Sequence, residues 1–251
     1  PYTTQDLNAL AAGTYNVTVT DANGCVTICS MTITEPGPLS CSVTGTDLLC
    51  FQDNSGTIDL DVNGGVLPYT YAWTGPGGPY TTQDLNALAA GTYNVTVTDA
   101  NGATSICTLT LTEPTLLTSS ISGTDILCFQ DNSGTIDLDV NGGTLGYTYA
   151  WTGPGGPYTT QDLNALAAGT YNVTVTDANG CITTENITLT EPALLTSSIS
   201  GTDLLCFQDN SGTIDLDVNG GVLPYTYAWT GPGGPYTTQD LNALAAGTYN
   251  V

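Results

Sequence analysis

Residues 79–102, PYTTQDLNALAAGTYNVTVTDANG, decide how the rest of the chain is read, because the same letters stand at 1–24 and again at 157–180. A fourth occurrence, PYTTQDLNALAAGTYNV, closes the chain at 235–251. The four begin at residues 1, 79, 157 and 235, so the period is 78 residues, and a fixed period of that kind marks a tandem array. The folding unit is therefore one 78-residue module. Glu35-Pro36, Glu113-Pro114 and Glu191-Pro192 each follow the last apolar run of a period, and proline, which cannot donate to a sheet ladder, ends a strand there. Boundaries drawn at these marks make 1–36 the C-terminal part of a β-sandwich module, 37–114 and 115–192 complete modules, and 193–251 the N-terminal part of a further one. We call them modules one to four. A chain that opens and closes inside a module is expected of a segment of a longer protein.

Module two shows what each period encodes. Leu39–Thr44 is a short alternating run, and Gln52-Asp53-Asn54-Ser55-Gly56 is a cluster of turn formers. Thr57–Val62 puts Ile58, Leu60 and Val62 on one face and Asp59 and Asp61 on the other, the pattern of a half-buried strand. After Asn63-Gly64-Gly65, the run Tyr69-Thr70-Tyr71-Ala72-Trp73 aligns its aromatic rings on one face. Asp84–Gly91 is the one stretch rich in helix formers, and it is long enough for a single turn. Thr92–Thr98 alternates Tyr93, Val95 and Val97 with threonines, and Asp99-Ala100-Asn101-Gly102 predicts a tight Asn-Gly hairpin with positive φ at both central residues. A final strand runs through Ala103–Thr112. Six or seven short strands without an amphipathic helix predict an all-β fold, a tandem array of immunoglobulin-like, PKD-like antiparallel β-sandwiches. Trp73 falls where such a domain places its core indole, and Leu88–Tyr93 has the form of a tyrosine corner.

Lys, Arg and His are absent against 23 Asp and Glu, a formal charge of −23. Nucleic acid and anionic membrane surfaces, which need basic residues, are excluded as natural partners. Intramolecular Lys–Asn links are chemically impossible, and trypsin-like proteases find no site. No apolar run approaches the length of a membrane span.

GGVLPYTYAW at 64–73, a Gly-rich break, and TTQDLNALAAGTYNVTVTDANGC at 159–181 resemble the SprB-type repeats of giant surface adhesins of gliding Bacteroidota, which are related to PKD-like sandwich domains. The resemblance extends over every module. It implies an extracellular repeat protein, exported by the type IX secretion route and acting in adhesion, gliding or matrix formation, with no catalytic residues.

The cysteines are not spaced for zinc. Cys50, Cys128 and Cys206 share one module position and Cys25 and Cys181 another, where module two has Ala103. Module three holds Cys128 and Cys181, and a Cys128–Cys181 disulfide is expected, with Cys50–Cys107 as its substitute in module two. Cys29 and Cys41 straddle Glu35-Pro36, and a Cys29–Cys41 bridge is expected to clamp that junction. Oxidised bridges suit an extracellular chain.

The acidic side chains Asp47, Asp53, Asp59, Asp61 and Asp99 are the candidate metal ligands, and calcium, which takes six to eight oxygens, is the cation they could hold. Their bland reading, turn residues and a solvated strand face, is the stronger one. No other cofactor is implied, and no base, nucleophile pair or cleft suggests an enzyme. Two functions follow. The first is a structural repeat region, each module meeting its neighbours and other copies in a filament. The second is multivalent glycan binding through Tyr69, Trp73, Tyr80 and the threonine faces, which requires those rings to be exposed.

Overall fold

A computed structural model describes residues 5–251, so the first four residues of the 1–36 segment lie outside it. The chain divides into two compact units, Pro1–Pro114 and Thr115–Val251. In the first unit, β1 (Gly13–Thr20) and β2 (Val26–Ile33) form an antiparallel hairpin. Six strands follow: β3 (Ser40–Thr46), β4 (Gly56–Asn63), β5 (Thr70–Thr74), β6 (Leu85–Leu88), β7 (Gly91–Thr98) and β8 (Thr104–Leu111). They make two sheets, in the orders β3-β4-β6 and β5-β7-β8. With the strands lettered A, B, C, E, F and G, this is the ABE and CFG division of an immunoglobulin sandwich without its D strand.

The second unit repeats the arrangement 78 residues later. Its strands are β9 (Thr118–Thr124), β10 (Gly134–Asn141), β11 (Thr148–Thr152), β12 (Leu163–Leu166), β13 (Gly169–Thr176) and β14 (Ile182–Leu189). They form sheets β9-β10-β12 and β11-β13-β14. Registers agree residue for residue: Ser40↔Asn63 through Thr46↔Thr57 in module two become Thr118↔Asn141 through Thr124↔Thr135 in module three. The unit ends with β15 (Thr196–Thr202), β16 (Gly212–Asn219) and β17 (Leu241–Leu244), one three-stranded sheet. The described residues contain no helix.

Period-two alternation positions the core. In β4, Ile58 and Leu60 are buried while Asp59 and Asp61 face outward, and in β7 Tyr93, Val95 and Val97 are buried. These side chains meet Trp73, Leu85, Leu88 and Leu111 between the sheets. Trp73 is 1 % exposed, and its Nε1–H donates to the Thr82 carbonyl at 2.9 Å, so the indole is buried with its one polar atom satisfied. The Tyr93 hydroxyl donates to the Ala89 carbonyl at 2.9 Å, the predicted tyrosine corner, and Tyr171 does the same to Ala167 at 2.9 Å. Among the described residues no buried side-chain nitrogen or oxygen lacks a partner. Gly64, at φ +74°, turns the chain so tightly that a Cβ would lie 2.0 Å from the Pro38 carbonyl oxygen.

Two local expectations are corrected. Asp84–Gly91 is not a helical turn: Leu85–Leu88 is β6, paired with β4 across a register shift between Gly56 and Ile58. Burial of both leucines outweighs helix propensity, and Ala87 takes φ +54° to bring them inward together. The Asp99–Gly102 loop is not a two-residue turn with two positive φ values. Gly102 alone is positive, at +86°, and Asp99 N–H bonds to the Ala103 carbonyl at 3.0 Å, a longer loop with glycine at its left-handed position.

Candidate functional site

Of the five candidate metal ligands of module two, Asp47, Asp53 and Asp99 are each bonded into a separate strand end or loop, and Asp59 and Asp61 share the outer face of β4. Asp47 Oδ1 accepts Thr112 N–H at 2.7 Å, tying β3 to the end of β8, and that hydrogen bond holds its carboxyl below the ordinary range. Asp53 accepts Cys50 N–H at 2.9 Å, Ser55 N–H at 2.9 Å and the Ser55 hydroxyl at 2.7 Å. Desolvation works to raise its pKa, and the donors of Ser55 and Cys50 together win and lower it. Asp99, 7 % exposed, accepts Val66 N–H at 2.9 Å on one oxygen and Asn101 and Ala103 N–H at 2.9 and 2.8 Å on the other. Burial again pushes its pKa up, and the backbone donors prevail and lower it. Asp177 repeats this in module three, with Thr144, Asn179 and Cys181 as donors.

Asp59 and Asp61 stand on the outer face of β4. The negative charge of Asp84 lies beside Asp59 and, with some desolvation and the charge of Asp61, raises its pKa. Asp84 itself accepts Leu60 N–H at 3.1 Å, so the crowding follows from tying β6 to β4. Among the described residues no three His, Cys, Asp or Glu side chains converge as metal ligands. The carboxylates act as acceptors for loop N–H groups, and Asn179 and Ser55 belong to these loops without any sequence signal beyond their turn propensity.

All three expected disulfides are corrected. The structure joins Cys41 to Cys107, with Cα atoms 6.1 Å apart, so neither Cys50–Cys107 nor Cys29–Cys41 forms. Cys128 is a free exposed thiol, so Cys128–Cys181 does not form either. The reason is strand length. Cys128 lies in the loop that Glu191 closes at Gln130 N–H, near the Leu189 end of β14, whereas Cys181 precedes Ile182 at the other end. Eight residues of strand span roughly 25 Å, far beyond the roughly 7 Å limit of a disulfide's Cα separation. Cys50 likewise sits at the Thr112 end, which Leu48 N–H marks by donating to the Thr112 carbonyl at 3.0 Å, and Cys107 sits mid-strand opposite Val95. The signal that was missed is the period itself: Cys29 and Cys107 are 78 residues apart and share one position on the last strand of a module. Cys25, Cys29 and Cys206 are also free and exposed.

The aromatic rings divide. Trp73 is buried, while Tyr69, Tyr71 and Tyr80 are half-buried against the core. Their hydroxyls are engaged by Gly64 O, Gln83 Oε1 and Pro76 O.

Fold and site together define a tandem array of immunoglobulin-like β-sandwich modules. The family model described as SprB repeat matches residues 42–78, 120–156 and 198–234, one match in each of modules two to four, so these stretches are similar to the SprB repeat. SprB repeats are found in extracellular surface proteins. No curated protein matches the chain. Among solved structures it is similar to the N-terminal eight Ig domains of Down Syndrome Cell Adhesion Molecule, at 14% identity and TM-score 0.46, covering 91% of this chain and 33% of that one. It is also similar to the amphioxus IgVJ-C2 molecule, at 16% identity and TM-score 0.26, covering 60% and 96%. The chain thus spans a third of the length of the first of these. TM-scores below 0.5 describe a loose likeness, and the fold class rests on the strand order and core above.

Proposed function

We propose that this chain is the structural repeat region of a long extracellular fibre or surface-adhesin stalk, exported by the type IX route and serving adhesion, gliding or matrix formation. The observation that carries this reading is the identity of successive modules: β4 and β10 have the same sequence, the same burial pattern and the same register. Repetition without a distinct site suits length and load better than chemistry. The chain has no catalytic role in this reading, its boundaries are those at the Glu-Pro marks, and its partners are neighbouring modules and other copies. The aspartates serve as loop acceptors, and calcium is not required. Glycan binding would fall to Tyr69, Tyr71 and Tyr80, since the indole of Trp73 is closed off.

Antibodies raised against residues 115–192 test the reading on intact cells. Labelling of unpermeabilised cells is expected, and labelling seen after permeabilisation alone overturns it. Glycan-array binding by the chain would move the assignment to the second function.

A further inference from the structure

In a chain with 23 acidic residues and no Lys, Arg or His, one sheet of each complete module keeps its outer face free of charge. In β5, β7 and β8 the side chains that point away from the core are all Thr or Asn, apart from Ala72 and Ile106. β11, β13 and β14 repeat this, with Ala150 and Ile182 as the exceptions. Glu185 of β14 alternates to the other side, where it accepts the Ser119 hydroxyl of β9 at 3.2 Å. The second sheet of each module differs: Asp59 and Asp61 face outward from β4, and Asp137 and Asp139 from β10. Each sandwich thus has one acidic and one neutral outer surface. The neutral one is partly self-satisfied. The Thr92 and Thr110 hydroxyls lie 2.9 Å apart across β7 and β8, and Thr108 donates to Asn94 Oδ1 at 2.8 Å. Thr170 and Thr188 repeat the first pair at 2.9 Å in module three. Groups already bonded within the face have less to lose when water leaves. Ile106 and Ile182, 70 % and 65 % exposed, add apolar surface that gains by leaving water.

We propose that copies of this chain associate side by side through these neutral faces, β5-β7-β8 and β11-β13-β14. Resting on the stalk reading above, in which other copies are partners, this names the surface on which they meet. The occupant follows from charge. A second copy brings the same formal charge of −23, and two acidic faces at the ~10 Å spacing of packed sheets would set carboxylates about one Debye length apart. Like charges placed opposite one another suppress that arrangement. Neutral face on neutral face is the sheet-to-sheet contact that avoids it. A sugar polymer is disfavoured, because no aromatic ring stands on the face. Three strands ~4.8 Å apart, up to 8 residues long at ~3.3 Å each, make a face of roughly 350 Å². That is under half of the ~800 Å² per partner that a standard interface buries, so one module would not hold a partner. A second copy carries its faces at the same chain interval, and two modules engaged together come close to that area. Repetition then builds the attachment by multivalency.

Sedimentation of the full chain across a salt series tests this. Raising NaCl from about 0.01 M to about 1 M shortens the Debye length from ~30 to ~3 Å and screens the acidic loops, so mass should rise with salt and with protein concentration. Asn94→Asp with Asn172→Asp puts one carboxylate on the middle strand of each neutral face and keeps an acceptor for Thr108. In about 0.15 M salt this pair should raise the concentration needed for association at least about tenfold. Asn86→Asp with Asn164→Asp adds the same charge at exposed positions of β6 and β12, in the other sheet, and should leave that concentration unchanged. Melting temperatures near that of the unsubstituted chain show that a loss comes from the face and not from unfolding. A chain monomeric at every salt concentration, equal weakening by both pairs, or no weakening by Asn94→Asp with Asn172→Asp overturns the proposal. Reversal of the association by dextran would give the face to glycans and overturn it as well. The antibody test of the stalk reading is made on cells, so either test can fail without the other.

Discussion

Cys41 and Cys107 face each other across β3 and β8, where the edges of the two sheets meet. Module three holds Ser119 and Glu185 at the same positions, and the Ser119 hydroxyl donates to Glu185 Oε1 at 3.2 Å. One site is thus stapled in one module and hydrogen-bonded in the next. The disulfide spans 66 residues of sequence, and closing a loop of that size in the unfolded chain contributes roughly 4 kcal/mol. Cys41→Ala with Cys107→Ala should lower the stability of module two by about that amount in urea unfolding, and a loss under about 1 kcal/mol would contradict the assignment. The carboxylates set the acid limb. Asp99 and Asp177 have folded pKa values below the unfolded value, so the stability they add is present above pH ~4 and is lost as pH falls through the folded values. Thermal melts should decline steeply below that pH. Asp59 has the opposite sign: its raised pKa marks repulsion from Asp84 that protonation relieves. Asp84→Asn keeps an acceptor for Leu60 N–H and should raise the melting temperature at pH 7, with the advantage fading in acid.

At the scale of elements, β4 and β7 were legible because alternation in a half-buried strand is written directly in residue type, and Tyr93 and Trp73 were legible because their roles follow from position in the strand order. β6 was not legible. LNAL reads as helix by propensity, and only its partner β4, across the bulge between Gly56 and Ile58, makes it a strand. Leu88 is 1 % exposed in that strand, so Leu88→Ala should cost about 2–5 kcal/mol in chemical denaturation. A helical turn on the surface would lose under 1 kcal/mol. The disulfides were illegible for a related reason: a shared module does not say which end of a strand a cysteine occupies, and Cys128 and Cys181 lie at opposite ends. The acidic residues were legible as turn formers. What the sequence could not show was that the oxygens of Asp47, Asp53 and Asp99 are taken up by backbone donors, some of them far along the chain, such as Thr112 for Asp47 and Val66 for Asp99.

For the whole molecule, the repeated register of β3 on β4 and β9 on β10 implies that each 78-residue segment contains all the pairings it needs. With no three carboxylates converging among the described residues, adding a calcium chelator should leave the melting temperature unchanged, and a drop of several degrees would reveal a site that this arrangement does not explain. The central claim is that one module is one self-sufficient two-sheeted body. Residues 115–192 expressed alone and followed by amide NMR test it most directly. Dispersed resonances with slow exchange along β10 and β13 are predicted, and a spectrum collapsed to random-coil shifts would contradict it.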